Sequence, residues 1–460
     1  MLKPGVIAEL KRIVGRESVL TAKEDLVAYS YDATATWVHL PEAVIFPTTT
    51  KQVSQALKLA NENKIPVTPR GGGTNLSGGS VPIKGGIVLC TTRMNRILEI
   101  NKTNLSATVE PGVVLQDFNN ALAKQGLFYP PDPQSFLSCT IGGTVAENAG
   151  GPSCAKYGIT KQYVLGLEVV LASGYVMNLG GITPKNRTGF ELTALFIGSE
   201  GMLGVITKIM LRLLPMPPAQ KSMLAVFDDM VAAGQAVSDI MASGVMPHKI
   251  EFVDDWVIKR FEQLMPMGLP TDANALLLIQ ASGSPETVET EVKQITEICR
   301  KSGAREVRLA KNQEEADKIW KVRSGAMAAI FSATKTTLIE DVAVPRDKIA
   351  AFIQKCQEIS KKYDVAIPLV GHAADGNIHP NILTDQSNPE HFERAKKAMD
   401  ELFATALALG GVISGEHGIG LEKKHFLDKA LDPMALELMK HIKKFLDPNG
   451  ILNPGKMWAE

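Results

Sequence analysis

The 460 residues carry 49 Lys plus Arg against 49 Asp plus Glu, a formal net charge of zero, and 45% are hydrophobic. No basic tract or aromatic-basic interleaving occurs, which argues against nucleic acid as a partner. A chain of this length exceeds what one hydrophobic core serves, so two or three domains are expected.

MLKPGVIAELKRIVG reads as a short amphipathic helix with Val6, Ile7, Leu10, Ile13 and Val14 on one side; it lacks a signal peptide's apolar block and cleavage site. No later segment reaches the roughly 18 apolar residues of a membrane span. A cytoplasmic protein without a transmembrane segment is expected. The cysteines, at 90, 139, 154, 299 and 356, form neither a disulfide framework nor a zinc or iron–sulfur pattern.

From Ala43 the pattern is βαβ-like: AVIFP, a helix with Val53, Ala56, Leu57 and Ala60 on one face, then IPVTPRGGGTN. Consecutive glycines after a strand expose backbone N–H groups and permit φ > 0, as close wrapping of a phosphate requires. The motif is neither a Walker A loop nor GxGxxG, and a flexible surface turn is the alternative. YPPDPQS, TIGGTVAENAGGPSCAKYG and FIGSEGMLGVIT follow. After the Pro-rich LRLLPMPPAQ the pattern changes to strands separated by long helices, which suggests an antiparallel sheet covered by helices on one side, α+β and ferredoxin-like.

Near the end of that region, GHAADGNIHPN places an Asp-Gly pair between two histidines. A two-residue turn at Asp375-Gly376 puts His372 directly opposite His379, where two imidazoles converge on one object such as a divalent metal. Asn381 projects from the same face, with Pro380 marking an edge strand or its end. Ordinary polar residues beside a turn are the alternative, because two histidines lack a third ligand. SGEHGIG offers one: Glu416 and His417 lie in a Gly-rich loop, and a carboxylate with two imidazoles suits a metal with open positions. The alternative there is a helix cap by Glu416 beside a solvent-facing His417.

PRGGGTN, YPPDPQS, TIGGTVAENAGG and GSEGMLGVIT, in this order, resemble the FAD-binding domain of the vanillyl-alcohol oxidase and p-cresol methylhydroxylase superfamily. The resemblance implies two α+β subdomains with FAD between them. It also implies a cofactor-binding set: Pro69, Arg70, Gly71, Gly72, Gly73, Thr74 and Asn75 around the pyrophosphate, with Pro131, Asp132, Thr140, Gly142, Gly143, Asn148, Gly151, Tyr157, Glu200, Gly201 and Ile206 beyond. Thr74 stands where many members carry the histidine that tethers FAD, so noncovalent FAD is expected. FLDPNGILNPGKMW resembles the segment that returns to the FAD domain, with Asn453 near the flavin. The implied organisation is an N-terminal helical segment at 1–40, an FAD-binding domain at 41–218, a cap or substrate domain at 219–410 and a C-terminal segment at 411–460.

GHAADGNIHPN together with SGEHGIG narrows the resemblance to FAD-linked D-2-hydroxyacid dehydrogenases, a group that includes D-lactate dehydrogenases, the glycolate oxidase flavin subunit and D-2-hydroxyglutarate dehydrogenase. It implies that His372, His379 and Glu416 hold a divalent metal (iron, zinc or manganese), that Asn381 touches substrate and that His417 is the base. Arg323, in WKVRSGAM, corresponds to the arginine that grips the substrate carboxylate, a task for which a guanidinium fork is well shaped; a surface arginine on a helix is the alternative. Members acting on 2-hydroxyglutarate carry a Lys near the end of the TLIEDVAVP strand, where Ile339 stands here, and Met327 lies one turn after Arg323. Both departures favour a small monocarboxylate, D-lactate first and glycolate second. The implied electron acceptor is an electron-transfer flavoprotein or an iron–sulfur subunit. A non-catalytic FAD-binding subunit with a decayed site is the competing reading, as is a UDP-N-acetylenolpyruvoylglucosamine reductase-like or aldonolactone-oxidase-like enzyme, neither of which predicts a metal hairpin.

Overall fold

A computed structural model describes residues 2–34 and 36–458. The chain divides into two compact units: Met1–Gly150, Ile159–Met216 and Glu416–Glu460 in the first, Gly151–Gly158 and Pro217–Gly415 in the second. The chain therefore passes from the second unit back to the first between Gly415 and Glu416, inside the SGEHGIG motif.

The first unit contains two α+β layers. In one, strands run in the order Val19–Leu20, Ala43–Ile45, Ile87–Cys90, Val67–Arg70, the last three mutually parallel. Helix Thr50–Glu62 makes the crossover, begun by Thr49, whose side chain accepts from the Gln52 amide. The expected face of that helix, Val53, Ala56, Leu57 and Ala60, is buried against Val67 and Leu89, together with Val6, Leu10 and Val14 of the N-terminal helix Pro4–Val14. Each large aliphatic side chain so buried stabilises the unit by about 1.5–3 kcal/mol. In the other layer, Ile97–Asn101, Ser106–Val109, Val205–Arg212, Val164–Val170 and Val176–Gly180 form an antiparallel sheet in that order.

The C-terminal segment does return. Val67 donates to Ile451 O at 2.7 Å and Asn453 N donates to Val67 O at 2.8 Å, so residues 451–453 add to the edge of the strand that leads into PRGGGTN.

The second unit is built on one antiparallel sheet, in the order Ala304–Leu309, Ala219–Phe227, Ala275–Gly283, Lys249–Asp254, Leu369–His372, Asn377–Thr384, Thr336–Ile339, with Val342–Ala343 also on Asn377–Thr384. The expectation of helices on one side only is corrected. Successive residues Met223 to Phe227 are all buried, and because side chains alternate across a strand, both faces are covered. On one face Leu224, Val226, Val253, Leu276, Leu278 and Val370 pack against helices Asp255–Leu264 and Gln313–Phe331, through Val257, Ile258, Phe261, Val322, Ala326, Ala329 and Ile330.

Candidate functional site

The hairpin forms, but not with the expected turn. His372 pairs with Asn377 and Val370 with His379. Ala373–Asp375 make a turn of 3-10 helix closed by Gly376 at φ 83°. The pairing has slipped by two residues, which preserves side-chain parity. His372 and His379 therefore still share a face, as diagonal neighbours with ring centroids 5.2 Å apart and planes at 84°. Both are buried.

This is the face covered by helix Gln313–Phe331, which brings Arg323 to it. Glu251, opposite His372 on the adjacent strand and fully buried, serves both residues. Its Oε1 lies 2.7 Å from His372 Nδ1, and its Oε2 accepts from Arg323 Nε. Burial pushes the Glu251 carboxyl up, but the charges and hydrogen bonds of His372 and Arg323 outweigh this and hold it below the usual range. Arg323 Nη1 is buried and donates to no acceptor among the described residues. Asn381 is also fully buried; its Nδ2 donates to His379 O at 2.8 Å and Pro368 O at 3.3 Å, while its Oδ1 accepts from no donor among them. Ile339 is paired with Asn381 in register and is half-buried, and Met327 packs beside Val322 and Ala326.

A second carboxylate supports the hairpin. Asp341, fully buried, has Oδ1 3.7 Å from His379 Nδ1, accepts from Asn377 Nδ2 at 2.6 Å on the same oxygen, and accepts from Ser414 Oγ at 2.9 Å on the other. The close approach of residue 415 requires glycine: a Cβ there would lie 2.3 Å from Asn377 Nδ2. Glu251 and Asp341 escaped the sequence reading. The available signal was an acid at an inward position of an otherwise apolar strand, in KIEFVD and again directly after TTLIE.

In the first unit, PRGGGTN leaves the strand Val67–Arg70 as a close-packed loop. A Cβ on Gly71 would stand 2.3 Å from Thr140 Oγ1, and one on Gly72 2.5 Å from Ser138 O. The amides of Gly72, Gly73, Thr74 and Asn75 donate to no protein acceptor among the described residues. Consecutive unbonded amides in a glycine loop form an anion-binding concavity, so this loop fits the pyrophosphate of a dinucleotide. The Arg70 guanidinium packs against the loop, where a Cβ on Gly73 would lie 2.1 Å from Nη2, and its Nη1 donates to Tyr31 O at 2.7 Å and Ser80 Oγ at 3.3 Å. Asn75 Nδ2 donates to Asp32 Oδ2 at 2.7 Å. Pro69 lines the position of Gly201, at φ 70°, where a Cβ would lie 3.0 Å from its ring.

Thr140 caps helix Ile141–Glu147 by accepting from Gly143 N at 3.3 Å, and Asn148 ends it in the left-handed conformation. Gly142 N donates to Pro111 O at 2.8 Å. Pro131 is buried and Asp132 half-buried, and Ile206 pairs with Val169. Gly151 and Tyr157 belong to the second unit, where Tyr157 OH lies 3.3 Å from Ser282 Oγ and its ring meets His248 edge-on at 5.1 Å. His248 Nε2 is 3.0 Å from Ser153 Oγ, and burial, reinforced by Lys249 and Lys156, pushes its pKa down to about 3.

Glu200 grips the loop after His417, accepting from Ile419 N at 2.7 Å and Gly420 N at 2.8 Å. Asn453 Nδ2 donates to Glu200 O at 2.7 Å and Gly79 O at 2.8 Å. Burial raises the Glu200 carboxyl despite those two amides, and burial plus the Glu200 charge raises Glu147 further. Glu416 Oε1 lies 3.9 Å from His417 Nε2, and both side chains are largely buried.

Residues 41–180 match the family pattern described as FAD binding domain, and residues 216–457 match FAD linked oxidases, C-terminal domain. The chain is 43% identical over 460 residues to the glycolate oxidase subunit GlcD of Bacillus subtilis (strain 168), covering 100% of this chain and 98% of that one. It is 37% identical over 465 residues to a D-lactate dehydrogenase of Anaerostipes hadrus, covering 99% and 97%. Among solved structures, p-cresol methylhydroxylase with substrate bound superposes with TM-score 0.81 at 22% identity over 99% of this chain and 97% of that one. An alkyldihydroxyacetonephosphate synthase does so with TM-score 0.78 at 19% identity, over 99% and 86%. At those identities the likeness is one of fold.

Proposed function

The chain belongs to the FAD-linked oxidases and is an FAD-dependent oxidoreductase acting on a hydroxy acid, and we propose that its substrate is a small D-2-hydroxy monocarboxylate, D-lactate foremost, converted to the 2-oxo acid. The observation that carries this reading is the pair of buried, unsatisfied polar atoms on the hairpin face. Among the described residues Arg323 Nη1 is a donor lacking an acceptor and Asn381 Oδ1 an acceptor lacking a donor, both on the sheet face that presents His372 and His379. Unpaired buried groups are costly alone, and a carboxylate with an adjacent hydroxyl satisfies both. Ile339, facing Asn381, offers no charge for a second carboxylate.

The residues take the following roles. Arg323 binds the substrate carboxylate and Asn381 orients the hydroxyl. His417 takes the hydroxyl proton as the Cα hydride departs. His372 and His379, with Glu416 as third ligand, would hold a divalent metal; two imidazoles and a carboxylate suit iron, zinc or manganese. When bound, the metal would supply Lewis acidity at the substrate hydroxyl and noncovalent FAD would supply the hydride acceptor. Thr74 offers no imidazole to tether the flavin. The dispersed cysteines make no cluster site in this sequence, so the electrons would leave to oxygen, a quinone or a protein partner, for which the family resemblance implies an electron-transfer flavoprotein or an iron–sulfur subunit. No helix among the described residues is long and apolar enough to cross a membrane.

Glycolate is the second reading, favoured by the name of the Bacillus subtilis relative. Anaerobic mixing of metal-replete, FAD-loaded protein with D-lactate, L-lactate, glycolate and D-2-hydroxyglutarate separates these. Bleaching of the flavin band is expected with D-lactate, then glycolate; D-2-hydroxyglutarate as the best substrate would overturn the monocarboxylate assignment, and no bleaching by any would favour a non-catalytic FAD-binding subunit.

A further inference from the structure

One fully buried carboxylate contacts two residues that the hydroxy-acid reading assigns to different tasks. Glu251 meets His372 Nδ1 through Oε1 at 2.7 Å and Arg323 Nε through Oε2. The contact spans three elements: strand Lys249–Asp254, strand Leu369–His372 and helix Gln313–Phe331. We propose that Glu251 is the positioning residue of this face, setting the tautomer of His372 and the direction of the Arg323 fork with the same carboxylate.

An ionised carboxylate only accepts hydrogen bonds, so the His372 nitrogen facing it carries a proton, and in the neutral ring the lone pair is left on Nε2. A carboxylate holding the distal N–H is the arrangement that orients and strengthens an imidazole ligand. On the other side, Glu251 occupies the Nε edge of Arg323 and leaves Nη1, which has no acceptor among the described residues, for an incoming anion. Arg323 and Glu251 are moreover a buried ion pair of zero net charge. Substrate carboxylate docking there is not compensated by Arg323 alone, so it gains from a metal held by His372, and the two ligands are expected to bind synergistically.

The inference rests on the hydroxy-acid reading for the role of Arg323, but its decisive readouts do not involve turnover. In full-length, FAD-loaded protein, Glu251→Gln keeps the shape while replacing one acceptor oxygen by a donor. With its oxygen kept on Arg323, the amide faces His372 Nδ1, forces the opposite tautomer and removes the Nε2 lone pair. Zinc, used as the probe metal, should bind about 10–100-fold more weakly. Glu251→Asp, still an acceptor, should recover much of that affinity. Because Glu251→Gln unbalances a buried charge and some preparations will not fold, the wild type supplies a second test. Nitrogen-15 NMR of metal-free protein, with the His372 signals assigned by comparison with His372→Gln, should show the Nδ1–H tautomer. An Nε2–H tautomer, or unchanged zinc affinity in folded Glu251→Gln, would overturn the proposal. Protein that shows the Nδ1–H tautomer and the zinc effect, but whose flavin no 2-hydroxy acid bleaches, keeps this inference and loses the substrate reading.

Discussion

Gly376→Ala tests the hairpin that carries both histidines. Gly376 sits at φ 83°, and a Cβ there would lie 2.1 Å from the backbone oxygen of Val344, whose own amide donates to Gly376 O at 3.0 Å. Gly268, in the same unit, has φ 74° with nothing within 4 Å of its Cβ position. The two alanine variants thus share the left-handed backbone cost, about 1–2 kcal/mol, and differ in the contact. At Gly376 the clash is with backbone, so it adds about 1–3 kcal/mol of overpacking and about 1 kcal/mol for the strained Val344 bond. A unit of about 200 residues loses roughly 2–4 °C per kcal/mol. Calorimetry should therefore place Gly268→Ala a few degrees below wild type and Gly376→Ala about 6 °C or more below it. Equal losses would refute the closure of this turn on Val344.

Four further outcomes are expected. His417→Ala should keep FAD and metal while kcat falls by about 10²–10⁴-fold, whereas His372→Ala and His379→Ala should lose metal on elemental analysis as well as activity. Acid precipitation should leave FAD in the supernatant; yellow pellets would show a covalent tether. His248, with a folded pKa near 3 and an unfolded value near 6.5, binds a proton in the unfolded chain first between those limits. Stability should then fall as pH drops through that window, by up to about 1.4 kcal/mol per pH unit from this group, and His248→Gln should flatten the acid limb in urea titrations at pH 7 and pH 5. Ile339→Lys, opposite Asn381, should shift kcat/KM toward D-2-hydroxyglutarate over D-lactate by about tenfold or more, one charge-assisted bond being worth roughly 1.5–3 kcal/mol; an unchanged ratio removes Ile339 from the specificity contact.

What the sequence disclosed was local. Glycine spacing pointed to the loop at residues 71–73, the apolar repeat to the helix Thr50–Glu62, and the Asp-Gly pair to a hairpin whose two-residue slip still left both histidines on one face. The error in turn type came from reading Asp375-Gly376 as the whole loop, when Ala373 and Ala374 close a 3-10 turn with Asp375. Non-local partners were out of reach. Glu251 lies 121 residues from His372 and 72 from Arg323, and only the strand order of the folded sheet brings them together. The partners of Arg70 were equally non-local: its guanidinium, packed against Gly73, donates to Tyr31 O and Ser80 Oγ.

The most direct test of the account is stopped-flow reduction of the flavin by D-lactate and by D-lactate deuterated at C2, in metal-replete protein without oxygen. The account predicts that the flavin band bleaches in a single turnover, that L-lactate fails to bleach it at a comparable rate, and that deuterium slows the reaction several-fold because the Cα hydride is what the flavin receives. A flavin that stays oxidised with D-lactate and glycolate alike would contradict it.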